Sequence, residues 1–195
     1  AELIERERVT HVLMVPSMYG ALLERGGAAR LGGLDMAIVA GEACSPGVVQ
    51  AHLTALPQVG LVNEYGPTEA TVWATAHPLT TVEATVPIGR PIPGVTARVA
   101  NPTMQPVPVG VAGELLIAGP TVTAGYLDEA EHTAARFVTV DDRRWYRTGD
   151  VVRADSGGVL RFVGRLDDQL NLGGVRLEPA EVETALITLP DIVDA

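Results

Sequence analysis

Asn63-Glu64-Tyr65-Gly66-Pro67-Thr68-Glu69 gathers an amide, a phenol, a hydroxyl and two carboxylates into one short stretch. Asn63 can pair with an adenine edge, the ring of Tyr65 can cover its face, Thr68 can bond a phosphate and Glu69 can hold Mg2+. Taken alone, the stretch also reads as an ordinary Gly-Pro turn. Tyr146-Arg147-Thr148-Gly149-Asp150 reads as a loop before a strand at Val151–Arg153. It is either a solvated turn with a capping aspartate or the place where a fixed carboxylate accepts both hydroxyls of a ribose. Gly164-Arg165-Leu166-Asp167-Asp168-Gln169 is a polar linker, or a site where the planar fork of Arg165 binds phosphate and Asp167 sits at a hinge.

The elements that must position these residues change character along the chain. Apolar runs at His11–Val15, Leu34–Ala40 and Val59–Glu64 alternate with helical stretches at Ser17–Glu24 and Ser45–Leu56, the pattern of parallel β-α-β units. The first chemical stretch lies at the carboxyl end of such a strand, where open α/β sheets bind ligands. After about Pro87 come short apolar runs, Val95–Ala100, Glu114–Ala118 and Val159–Val163, separated by Gly and Pro, with one helical stretch at Glu129–Phe137. From Arg165 the texture changes again: a polar joint, a short strand Gln169–Leu172, a glycine pair, and a helix from Pro179 to Leu189 with Pro in its first turn. The expected fold is α/β plus β. Residues 1–86 form the C-terminal part of a parallel α/β subdomain, 87–166 a β-rich, barrel-like subdomain, and 167–195 a hinge and the start of a small α+β lid. The run Ile192–Ala195 reads as the beginning of a further strand, as if the chain were cut there.

Composition excludes several chemistries. The 195 residues are 47% hydrophobic, enough to bury a sizeable core. The single Cys44 rules out an internal disulfide and a thiolate-rich zinc site, and His11, His52, His77 and His132 have no ligand spacing. A net charge of −10 opposes nucleic-acid binding. No apolar run reaches the roughly 18 residues that span a bilayer, so no membrane association is expected and a cytoplasmic location is. All 14 basic residues are arginine, so a lysine-dependent step needs a lysine from elsewhere.

Four motifs, NEYGPTEATVWAT, GELLIAGPTVTAGYL, YRTGD and GRLDDQLNLGGVRLEPAEVE, follow one another, supported by PIGRPIPG and by AGEACSP at Ala40–Pro46. In this order they resemble the adenylate-forming superfamily, and within it the adenylation domains of non-ribosomal peptide synthetases, over nearly the whole chain. The resemblance implies ATP-dependent activation of an amino acid as its adenylate, with Mg2+, followed by transfer to a phosphopantetheine thiol on a peptidyl carrier domain. It implies that Asn63 and Tyr65 contact adenine, with Gly41 and Glu42 along the same side and Gly66 in the nucleotide site. Thr68 and Glu69 would meet the phosphates and Mg2+, Asp150 the ribose, and Arg165 the ribose and phosphate. Phe162 would wall the nucleotide and Asp167 would be the hinge of the lid.

By the same resemblance Met14, Ile38, Ala40, Glu64, Val72 and Trp73 line the acyl pocket. A carboxylate at Glu64 among apolar neighbours favours a substrate bearing a donor or positive charge; the other reading has Glu64 facing solvent or paired with a protein arginine. The chain departs from the family pattern at Ala124, where Arg is usual, at Asn171 and Gly173, where Lys and Arg are usual, and at Pro179-Ala180 in place of Leu-Gly. The nucleotide motifs are shared with acyl- and aryl-CoA ligases, and the departures fit a degenerate adenylation domain kept for docking; TEATVWAT and PIGRPIPG favour the peptide-synthetase branch. The family's Ser/Thr/Gly-rich phosphate loop, the aspartate that grips the substrate amino group and the lid lysine have no match in this chain, so it is expected to form no adenylate by itself.

Overall fold

The computed structural model describes residues 1–167, 169–172, 174–177 and 179–189. A short helix α1 (Glu2–Arg6) leads into β1 (His11–Met14), α2 (Pro16–Gly26), α3 (Ala28–Leu31), β2 (Met36–Val39), α4 (Pro46–Ala55) and β3 (Gly60–Tyr65). Proline stands in the first turn of both α2 and α4, where its missing N–H costs nothing. Ser45 caps α4 by accepting the Val48 N–H at 3.3 Å. Strands β1, β2 and β3 pair in parallel. A 3-10 turn at Thr68–Ala70 then leads to β4 (Thr75–Pro78) and β5 (Arg90–Pro91), which extend the same sheet in antiparallel sense. The parallel units expected from the sequence are therefore present, with an antiparallel edge.

Alternation along the strands sets the two faces of this sheet. Ala37, Val39 and Leu61 point to the face covered by Tyr19 and Leu23 of α2 and Val49 of α4, forming the first core. Within it the Tyr19 hydroxyl meets Nδ1 of His52 at 2.6 Å, while Nε2 of His52 meets the Val59 carbonyl at 2.9 Å.

The second sheet is antiparallel. It comprises β6 (Thr96–Ala100), β7 (Gly113–Ala118), β8 (Phe137–Val140), β9 (Arg143–Ala154) and β10 (Leu160–Arg165), with helix α5 (Ala130–Arg136) before β8. Its order is β10-β9-β7-β6, and β8 pairs with the first part of β9. Strand β7 is buried on both faces: Leu115 and Ile117 pack with Val152, Leu160, Ile88 and Val95, and Leu116 and Ala118 pack with Trp145 and Ala100. That two-sided burial explains its unbroken apolar run. The sheets are joined where Leu160 exchanges backbone hydrogen bonds with Ile88 and Gly89. A last hairpin, β11 (Leu170–Leu172) with β12 (Val175–Leu177), precedes α6 (Pro179–Ile187). Gly173 and the strand expected at Ile192–Ala195 lie outside the described residues.

One expectation is corrected. Tyr146–Asp150 is not a loop ahead of a strand but the interior of β9, which runs unbroken from Arg143 to Ala154. Tyr146 and Arg147 pair with Ile117 and Leu116 of β7, and the register shifts between Glu114 and Leu116. Gly149, at φ +74°, absorbs that shift, so the glycine bends the strand instead of ending it. Among the described residues no helix is long and apolar enough to cross a membrane.

His52 supplies a test of this core. Burial disfavours its imidazolium and lowers its pKa below 6.5, outweighing the opposite pull of the Val59 carbonyl. As pH falls, the unfolded chain therefore binds the proton first, so the stabilisation from neutral His52 is complete above pH 6.5 and declines below it. Chemical denaturation on either side of that pH should show an acid-side loss of stability that is smaller in His52→Gln.

Candidate active site

Three strands converge on one carboxylate. Asp150 of β9 is 7% exposed; its Oδ2 accepts the Tyr65 hydroxyl from the end of β3, and its Oδ1 accepts Nη1 of Arg165 from the end of β10. Its own N–H donates to Thr148 Oγ1 at 2.9 Å, while that hydroxyl donates to the Leu115 carbonyl at 2.8 Å. The Tyr65 hydroxyl is pushed well above its ordinary range by burial and by the neighbouring negative charge, so it stays a donor. Asn63, two residues earlier on β3, is equally enclosed. Its Nδ2 donates to the Pro87 carbonyl at 2.7 Å, which turns Oδ1 the other way, and that buried acceptor has no partner.

Arg165 also grips Asp167, through Nε at 2.6 Å and Nη2 at 2.9 Å, and Arg136 at the end of α5 donates to the same carboxylate at 3.1 Å. Burial alone would raise the Asp167 pKa, but donation by the two arginines outweighs it and holds the group at about 2. For Arg165, burial works against the charge and the two aspartates overcome it, leaving the pKa raised. Gly149 makes room for this clamp: a Cβ there would fall 2.9 Å from Arg165 Nη2, 3.1 Å from Arg136 Nη1 and 3.1 Å from Asp167 Oδ2.

The turn after β3 carries the second carboxylate. Glu69 is 6% exposed and accepts the Tyr126 hydroxyl at 2.6 Å, whereas Thr68 is exposed. The next residues, Thr71 and Val72, both have positive φ, a strained state for β-branched side chains. The chain then folds back so tightly that a Cβ on Gly66 would fall 2.5 Å from the Trp73 Cα, which demands glycine at that position. Val72 and Trp73 emerge 62% and 42% exposed.

Glu64 points to the sheet face opposite the first core, the same face as Ile38 by strand register. It is 8% exposed, forms no ion pair among the described residues, and its pKa is raised by burial alone. Ala40 directly follows β2, next but one after Ile38, whereas Met14 packs on the helix-covered face. Gly41, at φ +85°, turns the chain after β2. Glu42 bonds the Ser17 N–H at 3.1 Å and hydroxyl at 3.0 Å, at the start of α2. Phe162 is partly exposed on β10, in register with Val152.

Several partners in this arrangement lie in or near the quoted motifs, but their pairings show only in the structure. Glu114 accepts the Gly149 N–H at 3.2 Å and pairs with Arg147 at 2.8 Å, fixing the backbone beside Asp150; a glutamate inside the apolar run of β7 was the available clue. Arg136 and Tyr126 are recognisable only once the sheet is assembled. At Ala124 the chain is held by Arg144, which donates to the carbonyls of Thr123 and Ala124 at 2.5 and 2.6 Å and lies over Phe137.

Where the α/β sheet meets the antiparallel one, the structure thus gathers a carboxylate held by a tyrosine and an arginine, an orphaned amide acceptor and a second buried carboxylate. The pattern of the AMP-binding enzyme family matches residues 1–127, and the chain belongs to that family. It is 41% identical, over its full length, to the probable non-canonical nonribosomal peptide synthetase CymA of Salinispora arenicola, of which it spans 2%. Its structure superposes with a TM-score of 0.92 on holo-PA1221, an NRPS protein containing adenylation and PCP domains, at 33% identity, covering 99% of this chain and 35% of that one. It matches the Vibrio cholerae adenylation domain AlmE, solved with glycyl-adenosine-5'-phosphate, with a TM-score of 0.86 at 31% identity, covering 99% and 38%. The chain thus spans a small part of the length of these relatives.

Gly149→Ala should destabilise the fold by about 1–3 kcal/mol, since alanine must adopt positive φ against three charged groups. Gly164→Ala, whose Cβ would meet nothing within 4 Å, should be near neutral. Urea denaturation of both variants checks the contrast.

Proposed function

We propose that this chain supplies the adenine, ribose and acyl side of an adenylate-forming site that activates an amino acid for transfer to a carrier domain. The observation that carries the reading is Asp150, held jointly by Tyr65 and Arg165. A carboxylate fixed in that way can accept both ribose hydroxyls, and the orphaned Oδ1 of Asn63 complements the exocyclic amine of adenine. Phe162 and Tyr65 are the apolar surfaces available to the base.

In the proposed reaction the substrate carboxylate attacks the α-phosphorus of ATP; the bond to the β-phosphate oxygen breaks, pyrophosphate leaves, and an acyl-adenylate forms. A carboxylate with a pKa of about 4 is ionised at neutral pH, so no general base is needed and the protein's task is positioning and charge neutralisation. Arg165 contributes a permanent positive charge. A hard cation is matched by the hard oxygens of Glu69 and Thr68; among the described residues no group of three or more His, Cys, Asp or Glu side chains forms a metal cage. Glu69 and Thr68 are therefore the residues that would hold Mg2+, whose chemistry here is neutralisation of phosphate charge. The second step, attack by a phosphopantetheine thiol on a carrier domain, is supported by the adenylation-PCP architecture of the PA1221 structure.

The substrate class follows from Glu64. A buried carboxylate with no cation beside it among the described residues is stabilised by a ligand that brings a donor or a positive charge, and a basic amino-acid side chain brings both.

The test is ATP–pyrophosphate exchange by the full-length protein containing this chain, amino acid by amino acid. Exchange should be strongest with a basic amino acid and abolished by Asp150→Ala; exchange that survives this substitution sinks the site assignment. Glu64→Ala should lower kcat/KM for the basic substrate by roughly 100-fold. A wild-type preference for a plain aliphatic amino acid would overturn the substrate class alone.

A further inference from the structure

Glu69 sits in a socket that the proposed reaction does not explain. The segment 121–126 is laced onto the turn that carries it: the Thr123 N–H donates to the Glu69 carbonyl at 2.9 Å, the Thr71 hydroxyl donates to the Thr121 carbonyl at 2.6 Å, and the Tyr126 hydroxyl donates to Glu69 Oε1 at 2.6 Å. Tyr126 is itself fixed. Its N–H donates to Thr133 Oγ1 at 2.9 Å, and its ring lies between His132, with centroids 4.6 Å apart, and Phe137, at 5.6 Å. Gly125 lets α5 come close, since a Cβ there would fall 2.4 Å from the Thr133 methyl. The Arg144 fork pins the carbonyls just before it. A loop, a helix and a strand thus converge to place the Tyr126 hydroxyl against the Glu69 carboxylate, with the buried Tyr146 phenol beside both.

We propose that Tyr126 is the positioning residue for Glu69, its hydroxyl fixing the rotamer from which the carboxylate takes a divalent cation. This rests on the reading of Glu69 as the cation ligand. A carboxylate at the end of a flexible side chain must otherwise be ordered at the moment of binding, and that entropy comes out of the affinity. A phenol that already holds one oxygen removes the cost. The glycine-rich segment acquires a specific task as well: Gly125, Thr133 and Arg144 act through Tyr126 and touch no reacting atom.

The experiment is calorimetric titration of Mn2+ into the full-length protein saturated with a non-hydrolysable ATP analogue, for wild type, Glu69→Gln, Tyr126→Phe and the double variant. Phenylalanine keeps the ring contacts and deletes only the hydroxyl. Glu69→Gln should weaken Mn2+ at least tenfold, Tyr126→Phe roughly three- to tenfold, and the double variant no more than Glu69→Gln. Unchanged Mn2+ affinity in Tyr126→Phe, with Glu69→Gln weakened, overturns the positioning role and leaves the ligand assignment standing. Additive losses in the double variant also overturn it, because they place the effect of Tyr126 outside Glu69. Unchanged affinity in Glu69→Gln overturns the ligand assignment and the inference together.

Discussion

A carboxylate withdrawn from water is costly unless it is hydrogen-bonded and its charge is matched, and Asp150 meets that condition through groups from distant parts of the chain. Much of the second sheet can be understood as what this condition requires. Strand β7 contributes the Leu115 carbonyl that orients Thr148 and the Glu114 carboxylate that takes the Gly149 N–H. Strand β10 ends where Arg165 can reach back. Strand β3 ends in Tyr65, so the carboxyl edge of the first sheet is tied to the second sheet at the point where a nucleotide would lie.

Arg165 links this carboxylate to Asp167, and Arg136 duplicates one half of that link. The joint before the final hairpin is therefore anchored to Asp150 itself. A ligand that draws Arg165 toward a phosphate competes with both aspartates, and Arg136 remains to hold Asp167. That division of labour suits arginine, whose planar fork serves two carboxylates at once and keeps its charge throughout.

The α/β part was largely legible in the sequence because its apolar runs are bounded by strong signals, proline in the first turns of α2 and α4 and the cap at Ser45. Strands β4 and β5 were not, since TAHP and RP are short and contain proline; they exist because neighbouring strands offer hydrogen bonds at a sheet edge. The hairpin between β8 and β9 was hidden because Asp141 and Asp142, both at positive φ, turn the chain where Asn-Gly or Asp-Gly would be the readable signal. In the candidate site, the residues proposed to carry chemistry sit in compact motifs. The pairings that hold them could not be read there, even though Tyr126 stands inside GELLIAGPTVTAGYL: Tyr126 lies 57 residues from Glu69 and Arg136 lies 31 from Asp167, and no local pattern encodes a pairing made by packing. The reading of Tyr146–Asp150 as a loop failed for a related reason, because a glycine in a long strand looks like an ending until the partner strand is known.

The span bridged at Asp150 bears on how the molecule is made. Tyr65 and Asp150 are 85 residues apart, and Arg165 follows 15 later. On a ribosome β1, β2, β3 and their helices emerge with most of the helix-covered core, which Leu79 and Val86 then complete, while the edge carrying Asn63, Glu64 and Tyr65 waits for about a hundred more residues, several seconds of synthesis. During that interval a buried-to-be carboxylate, phenol and amide face water, and closure of so long a loop places the birth of the site among the last events of folding. A nascent chain stalled before Arg165 would carry Asn63, Tyr65 and Asp150 and still lack the cation that pairs with the carboxylate.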